Sequence, residues 1–132
     1  MMHYAYTYLL LIFVEDVAVI RDLIMDCLQE HEYEAVGAAT AEDAMQRLAS
    51  GPAPSLAVTD IDLGAGRSGL EFADWPHERW PELNVIFANG RPDWLNGRAF
   101  DPRESCLSSP FSLSKLVELV DRSRPSPMVG RP

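Results

Sequence analysis

Leu9-Leu10-Leu11-Ile12-Phe13-Val14-Glu15-Asp16 decides the fold: six apolar residues run straight into two carboxylates. A run of that length with no polar residue to face water reads as a strand buried on both sides, as in a parallel sheet. Residues just past the carboxyl end of such a strand stand where open α/β sheets bind ligands. The pattern returns where Leu56-Ala57-Val58-Thr59 runs into Asp60-Ile61-Asp62. If the two strands are neighbours, Glu15, Asp16, Asp60 and Asp62 crowd into one crevice. Like charges that close are unfavourable unless a proton or a cation resolves them, and a divalent metal is the simplest resolution.

Outward from these two strands the sequence alternates. Residues 17–30 place Ile20, Leu23, Ile24, Cys27 and Leu28 at spacings of three and four, one face of an amphipathic helix. A weaker strand follows at 33–39. Thr40 then reads as an N-cap, with Glu42 and Asp43 in the first turn of a helix that stops at Ser50-Gly51-Pro52. After the third strand, residues 64–69 form a glycine-rich loop, and Leu70, Phe72 and Ala73 open another helix. Pro76 removes a hydrogen bond from it, which predicts a kink or an end near Asp74. Residues 83–88 form a fourth strand and Cys106-Leu107 a short fifth. Between them the chain is rich in Gly, Pro, Asn and Asp, with room for about two helical turns around 92–100. Ser112 caps a last helix carrying Leu113, Leu116, Val117 and Val120 on one face. Five strands alternating with helices predict a doubly wound α/β domain with strand order 2-1-3-4-5, over residues 1–124, and a loose tail at 125–132.

The 132 residues suffice for one domain with a real core. Eleven Lys and Arg against twenty Asp and Glu give a net charge of −9, which repels nucleic acid and anionic membrane and favours cations or proteins as partners. No apolar run reaches the length of a membrane span, and the N-terminus lacks a signal-peptide pattern, so a cytoplasmic setting is expected. Cys27 and Cys106 have neither a CxxC partner nor metal-like spacing. His3, His31 and His77 have no ligand spacing, and Trp75, Trp80 and Trp94 read as packing or partner surface. Gly64-x-Gly66-x-x-Gly69 matches a dinucleotide pattern by eye but follows the third strand rather than the first, so it is set aside.

Four segments in register carry a resemblance. Val14-Glu15-Asp16, Val58-Thr59-Asp60-Ile61-Asp62-Leu63, Val85-Ile86-Phe87-Ala88-Asn89-Gly90 and Leu107-Ser108-Ser109-Pro110-Phe111 resemble response-regulator (CheY-like) receiver domains in order and spacing, over most of the chain. The resemblance implies a flavodoxin-like sheet with a short or irregular helix between the fourth and fifth strands. It implies that Asp60 accepts a phosphoryl group from a sensor histidine kinase or phosphotransfer protein. Mg2+ would be held by Glu15, Asp16, Asp60 and the backbone carbonyl of Asp62. The physical logic agrees: Mg2+ takes oxygen ligands, one or two carboxylates plus phosphate oxygens and water, and a carboxylate can form an aspartyl phosphate. Such a domain is a signalling module, not an enzyme, and its output is contact with a downstream protein.

Phe87-Ala88-Asn89-Gly90 also resembles the Phe-Ala-Thr-Gly signature of a receiver subgroup that stands alone or is attached to sensor kinases. The switch positions depart from the family. Asn89 stands for its Thr or Ser, Ser109 for its lysine, and Cys106 for its aromatic switch residue. Asn89 still has an amide donor, but Ser109 does not replace an ammonium. At ~5 Å and an effective dielectric of ~20 that charge is worth about 3 kcal/mol against a phosphoryl oxygen. Arg91 is a candidate to reach toward the phosphate. Two alternatives follow: a degenerate receiver that binds its partner without phosphorylation, and a small haloacid-dehalogenase-like phosphatase built on Asp60-x-Asp62. The latter lacks the usual Thr or Val at Gly64 and enough chain for a cap.

Overall fold

The computed structural model describes residues 10–51, 54–64, 66–79, 83–90, 102–108 and 111–123. Five strands, β1 (Leu10–Val14), β2 (Glu34–Ala38), β3 (Leu56–Asp60), β4 (Asn84–Gly90) and β5 (Glu104–Ser108), alternate with helices α1 (Ala18–Glu30), α2 (Ala41–Ser50), α3 (Gly69–Arg79) and α4 (Leu113–Ser123). All strand pairs are parallel and their order is β2-β1-β3-β4-β5. This is the expected flavodoxin-like topology. The expected irregular helix at 92–100 and the tail at 125–132 lie outside the described residues.

The apolar run of β1 is continuous because both of its faces are covered. Leu11 and Phe13 pack with Ile24, Leu28, Leu116 and Val120, so α1 and α4 lie on one face. Ile12 and Val14 pack with Ala44, Leu48, Phe72 and Ala73, so α2 and α3 lie on the other. Alternation along a strand sends successive side chains to opposite faces, and here each face meets a helix layer. Burying large side chains such as Phe13, Phe72 and Phe87 stabilises the domain by ~1.5–3 kcal/mol each.

Helix starts follow the sequence. The Thr40 hydroxyl accepts the Asp43 N–H at 3.0 Å, and the Ser112 hydroxyl accepts the Lys115 N–H at 3.1 Å. One expectation is narrowed and one needs correction. Of the kink or the end near Asp74 expected from Pro76, the end is excluded: α3 continues through Pro76 to Arg79. One proline costs a helix interior about 3 kcal/mol, and the buried Phe72 and Ala73 anchor the helix against the sheet. The apolar face of α1 is only partly a core face. Ile24 and Leu28 are buried, but Leu23 is 56% exposed and Ile20 39%. Val17 and Val19 join them, so the first two turns of α1 show solvent a strip of apolar side chains.

Candidate metal centre

β1 and β3 are neighbours, with Val14 opposite Thr59, so the residues that follow each of these lie side by side at the carboxyl end of the sheet. Glu15 and Asp16 come from the first strand end and Asp60 from the second. One carboxylate oxygen from each lies within 4.8 Å of the other two. Glu15 is 1% exposed and Asp60 8%, while Asp16 opens to solvent.

Each buried carboxylate is held by backbone. The Glu15 N–H donates to the Ala38 carbonyl at the end of β2 (3.0 Å), and the Val17 N–H donates to Glu15 Oε2 (3.1 Å). Asp60 Oδ1 accepts the Asp62 N–H at 3.2 Å. Burial raises the pKa of Glu15 from 4.5 to about 7; the Val17 N–H opposes this, while the neighbouring Asp60 charge adds to it. Asp60 is also raised, again chiefly by burial. Both carboxyl groups are therefore pushed toward the protonated form, Glu15 and Asp60 each chiefly by burial and each also by a neighbouring carboxylate. Without a cation, a proton resolves the crowding of like charges.

Of the expected residues, Glu15, Asp16 and Asp60 come together. The Asp62 carboxylate is exposed and accepts the Gly64 N–H at 3.1 Å, closing its own turn rather than joining the cluster. Asn89 belongs to β4 as the extra residue of a bulge: Ala88 pairs with Leu107 and Gly90 with Ser108. Its side chain, and Ser109 and Arg91, lie outside what the structure describes. Cys106 sits opposite Phe87, half-buried against the core layer under α2 and α3, and burial pushes its thiol pKa up.

Three shaping residues were given no part in the site from sequence. Gly64 has φ +74°, and a Cβ there would lie 3.3 Å from Asp16 Oδ2. Gly69 is bonded through its N–H to the Ile61 carbonyl (2.8 Å), and a Cβ on it would meet the Asp60 carbonyl oxygen. The dinucleotide-like glycine spacing therefore has a steric explanation in a tight turn around the acidic strand end. Arg21 donates from Nη1 to the Glu15 carbonyl at 2.7 Å. Only a basic residue one helical turn into α1 hinted at it.

Residues 11–121 match the response regulator receiver domain family. The chain belongs to that family. Solved receivers share the fold. The response regulator TrrA from Thermotoga maritima, in complex with Mg2+ and BeF, is 25% identical, with a TM-score of 0.75 over 86% of this chain and 97% of that one. The receiver domain of NtrX from Brucella abortus is 26% identical (TM-score 0.72, 86% and 96% covered). A receiver protein from Sinorhizobium medicae is 19% identical and superposes with a TM-score of 0.78 over 88% of this chain and 94% of that one, a likeness of fold. No curated protein matches the sequence. Receivers generally are signalling modules that interact with histidine kinases and downstream effectors, and phosphorylation of an aspartate with Mg2+ is general to the family. This receiver presents the corresponding acidic cluster. Among its described residues no helix is long and apolar enough to cross a membrane.

Proposed function

We propose that this receiver accepts a phosphoryl group on Asp60 from a histidine kinase or phosphotransfer protein and passes the signal on by protein contact. The observation that carries the reading is the convergence of Glu15, Asp16 and Asp60 within 4.8 Å at one strand rim. An all-oxygen carboxylate set suits Mg2+, and a dication there relieves the repulsion that helps push the Glu15 and Asp60 carboxyl groups toward protonation. Glu15, Asp16, Asp60 and the Asp62 carbonyl would hold the ion. Bound there, it neutralises charge on the transferring phosphoryl oxygens.

The protein positions the reacting group. The Asp62 N–H orients the Asp60 carboxylate. A carboxylate oxygen attacks phosphorus, the phosphorus–nitrogen bond to the donor imidazole breaks, and the imidazole keeps the electron pair. Positioning and electrostatics supply most of such a transfer. Ser109 provides no ammonium toward the phosphoryl group, so metal dependence is strong and the native acceptor is slower than a Ser109→Lys variant. A donor that delivers phosphate to Asp60 must cover the surface around the rim. The exposed apolar strip Val17, Val19, Ile20 and Leu23 adjoins that rim and fits the apolar contact surface of such a donor protein.

The test is mass spectrometry after incubation with a small phosphodonor, with and without Mg2+. Wild type gains one phosphoryl group only with Mg2+, and Asp60→Asn gains none. No phosphate on wild type, or unchanged phosphate on Asp60→Asn, defeats the reading. Asn89 and Ser109 favour a second reading, a degenerate receiver whose partner binding ignores phosphorylation. Partner affinity indifferent to Asp60→Asn supports it.

A further inference from the structure

We infer that Arg21 is a positioning residue for the acidic pair, acting through the peptide that joins Glu15 to Asp16; the inference rests on the metal-binding reading of that pair. The carbonyl of Glu15 belongs to that peptide, and Arg21 Nη1 donates to it at 2.7 Å. The length is that of a charge-assisted bond. The other two holds on Glu15 act elsewhere: its N–H is bonded to Ala38 and its carboxylate to the Val17 N–H. Among the contacts described for Glu15, the Arg21 bond alone acts on the plane of the Glu15–Asp16 peptide. Turning that plane re-aims both flanking side chains, which must converge on Asp60.

A second observation shows that the fold makes room for this arm. Gly37, in β2, faces the Arg21 stem. A Cβ at Gly37 would lie 2.4 Å from Met25 Sδ, 3.2 Å from Arg21 Cδ and 3.4 Å from Arg21 Cγ. The Met25 tip can move aside, but the Arg21 stem is held between its helix and the Glu15 carbonyl. Gly37 therefore leaves the passage through which the guanidinium reaches the strand end. Arg21 and Gly37 are thus one device on two elements, aimed at a third.

Partners that orient metal ligands typically change metal affinity 10- to 100-fold when removed. The expected effect of Arg21→Met is about a tenfold rise in the Mg2+ dissociation constant, with the amide signal of Asp16 displaced in the metal-free protein. Arg21→Lys, which keeps a charged donor on a similar stem, stays within about threefold of wild type. Gly37→Val weakens Mg2+ by a similar factor, and the double variant is no weaker than Arg21→Met alone, because residues acting as a unit are not additive. The measurement is calorimetric or NMR titration with MgCl2, with thermal melts of the metal-free proteins as the fold control. Arg21→Met binding Mg2+ like wild type overturns the inference, as does full additivity with Gly37→Val. If wild type itself binds no Mg2+, the metal-site reading fails instead. If Arg21→Met melts early, the Arg21→Lys and Gly37→Val comparison decides the question in the same terms.

Discussion

Gly69 lies so close to Asp60 that a Cβ on it would stand 2.0 Å from the Asp60 carbonyl oxygen and 3.0 Å from Ile61 Cα. Both neighbours are backbone at the end of β3, so neither moves without moving the acidic strand end. Gly69→Ala is expected to destabilise the domain by about 1–3 kcal/mol, the usual cost of forced overpacking. The melting midpoint should fall by roughly 5–15 °C, and Mg2+ binding should weaken with it. A melt unchanged by Gly69→Ala contradicts this packing.

The raised pKa of Glu15 predicts an unusual pH profile. Glu15 has its pKa raised from 4.5 to about 7 in the metal-free fold. The folded state therefore binds the proton more tightly than the unfolded chain does. The stabilisation is fully present below the unfolded pKa and is lost as pH rises through about 7. A tenfold gain in proton affinity on folding is worth about 1.4 kcal/mol before screening, and the open Asp16 side holds the whole effect to ~1–2 kcal/mol. Metal-free protein should melt lower at pH 8 than at pH 5.5, and millimolar Mg2+ should restore the loss at pH 8. Glu15→Gln should flatten the profile.

The apolar strip on α1 separates docking from chemistry. Leu23→Lys places a charge at a 56% exposed position, where surface substitutions change stability by no more than ~0.5 kcal/mol. Phosphotransfer from a cognate kinase should fall about tenfold, a loss typical of an interface contact worth ~1.4 kcal/mol. Phosphorylation by a small donor should be unchanged. Equal loss with both donors contradicts a docking role for the strip.

The end of α1 carries a simpler prediction. The Glu32 N–H reaches the Gln29 carbonyl and the Tyr33 N–H the Leu28 carbonyl, which ends the helix with Glu32 at φ +68°. Glycine is the usual residue there, and a side chain in that region costs about 1 kcal/mol. Glu32→Gly should raise stability by ~0.5–1 kcal/mol, read from chemical denaturation at constant slope.

Strand order, both N-caps and the acidic rim were legible because each rests on a local pattern. Six apolar residues before Glu15-Asp16 require cover on both faces, and Thr40 with Asp43 forms its cap within four residues. What escaped the sequence depends on partners distant in the chain. Ile20 and Leu23 share the helical spacing of Ile24 and Leu28, yet only the latter pair is buried and joins the core cluster, a difference set by packing neighbours rather than by spacing. The passage of α3 through Pro76 reflects the grip of Phe72 on the core, which outweighs one lost bond. Nothing in the sequence marks Arg21 beyond its place one turn into α1, and only the fold brings its guanidinium onto the carbonyl of Glu15. The Asp62 side chain, placed by the sequence among the crowded carboxylates, instead closes a turn.

The most direct measurement is an amide NMR titration of the full chain with Mg2+, followed by beryllofluoride as a phosphoryl mimic. Mg2+ should first move the signals of Glu15, Asp16, Val17 and Asp60, and beryllofluoride should then add changes at Asp60 to Gly64 and along β4. Saturable changes absent from that rim, or no response to Mg2+ at millimolar concentration, would contradict a shared carboxylate pocket.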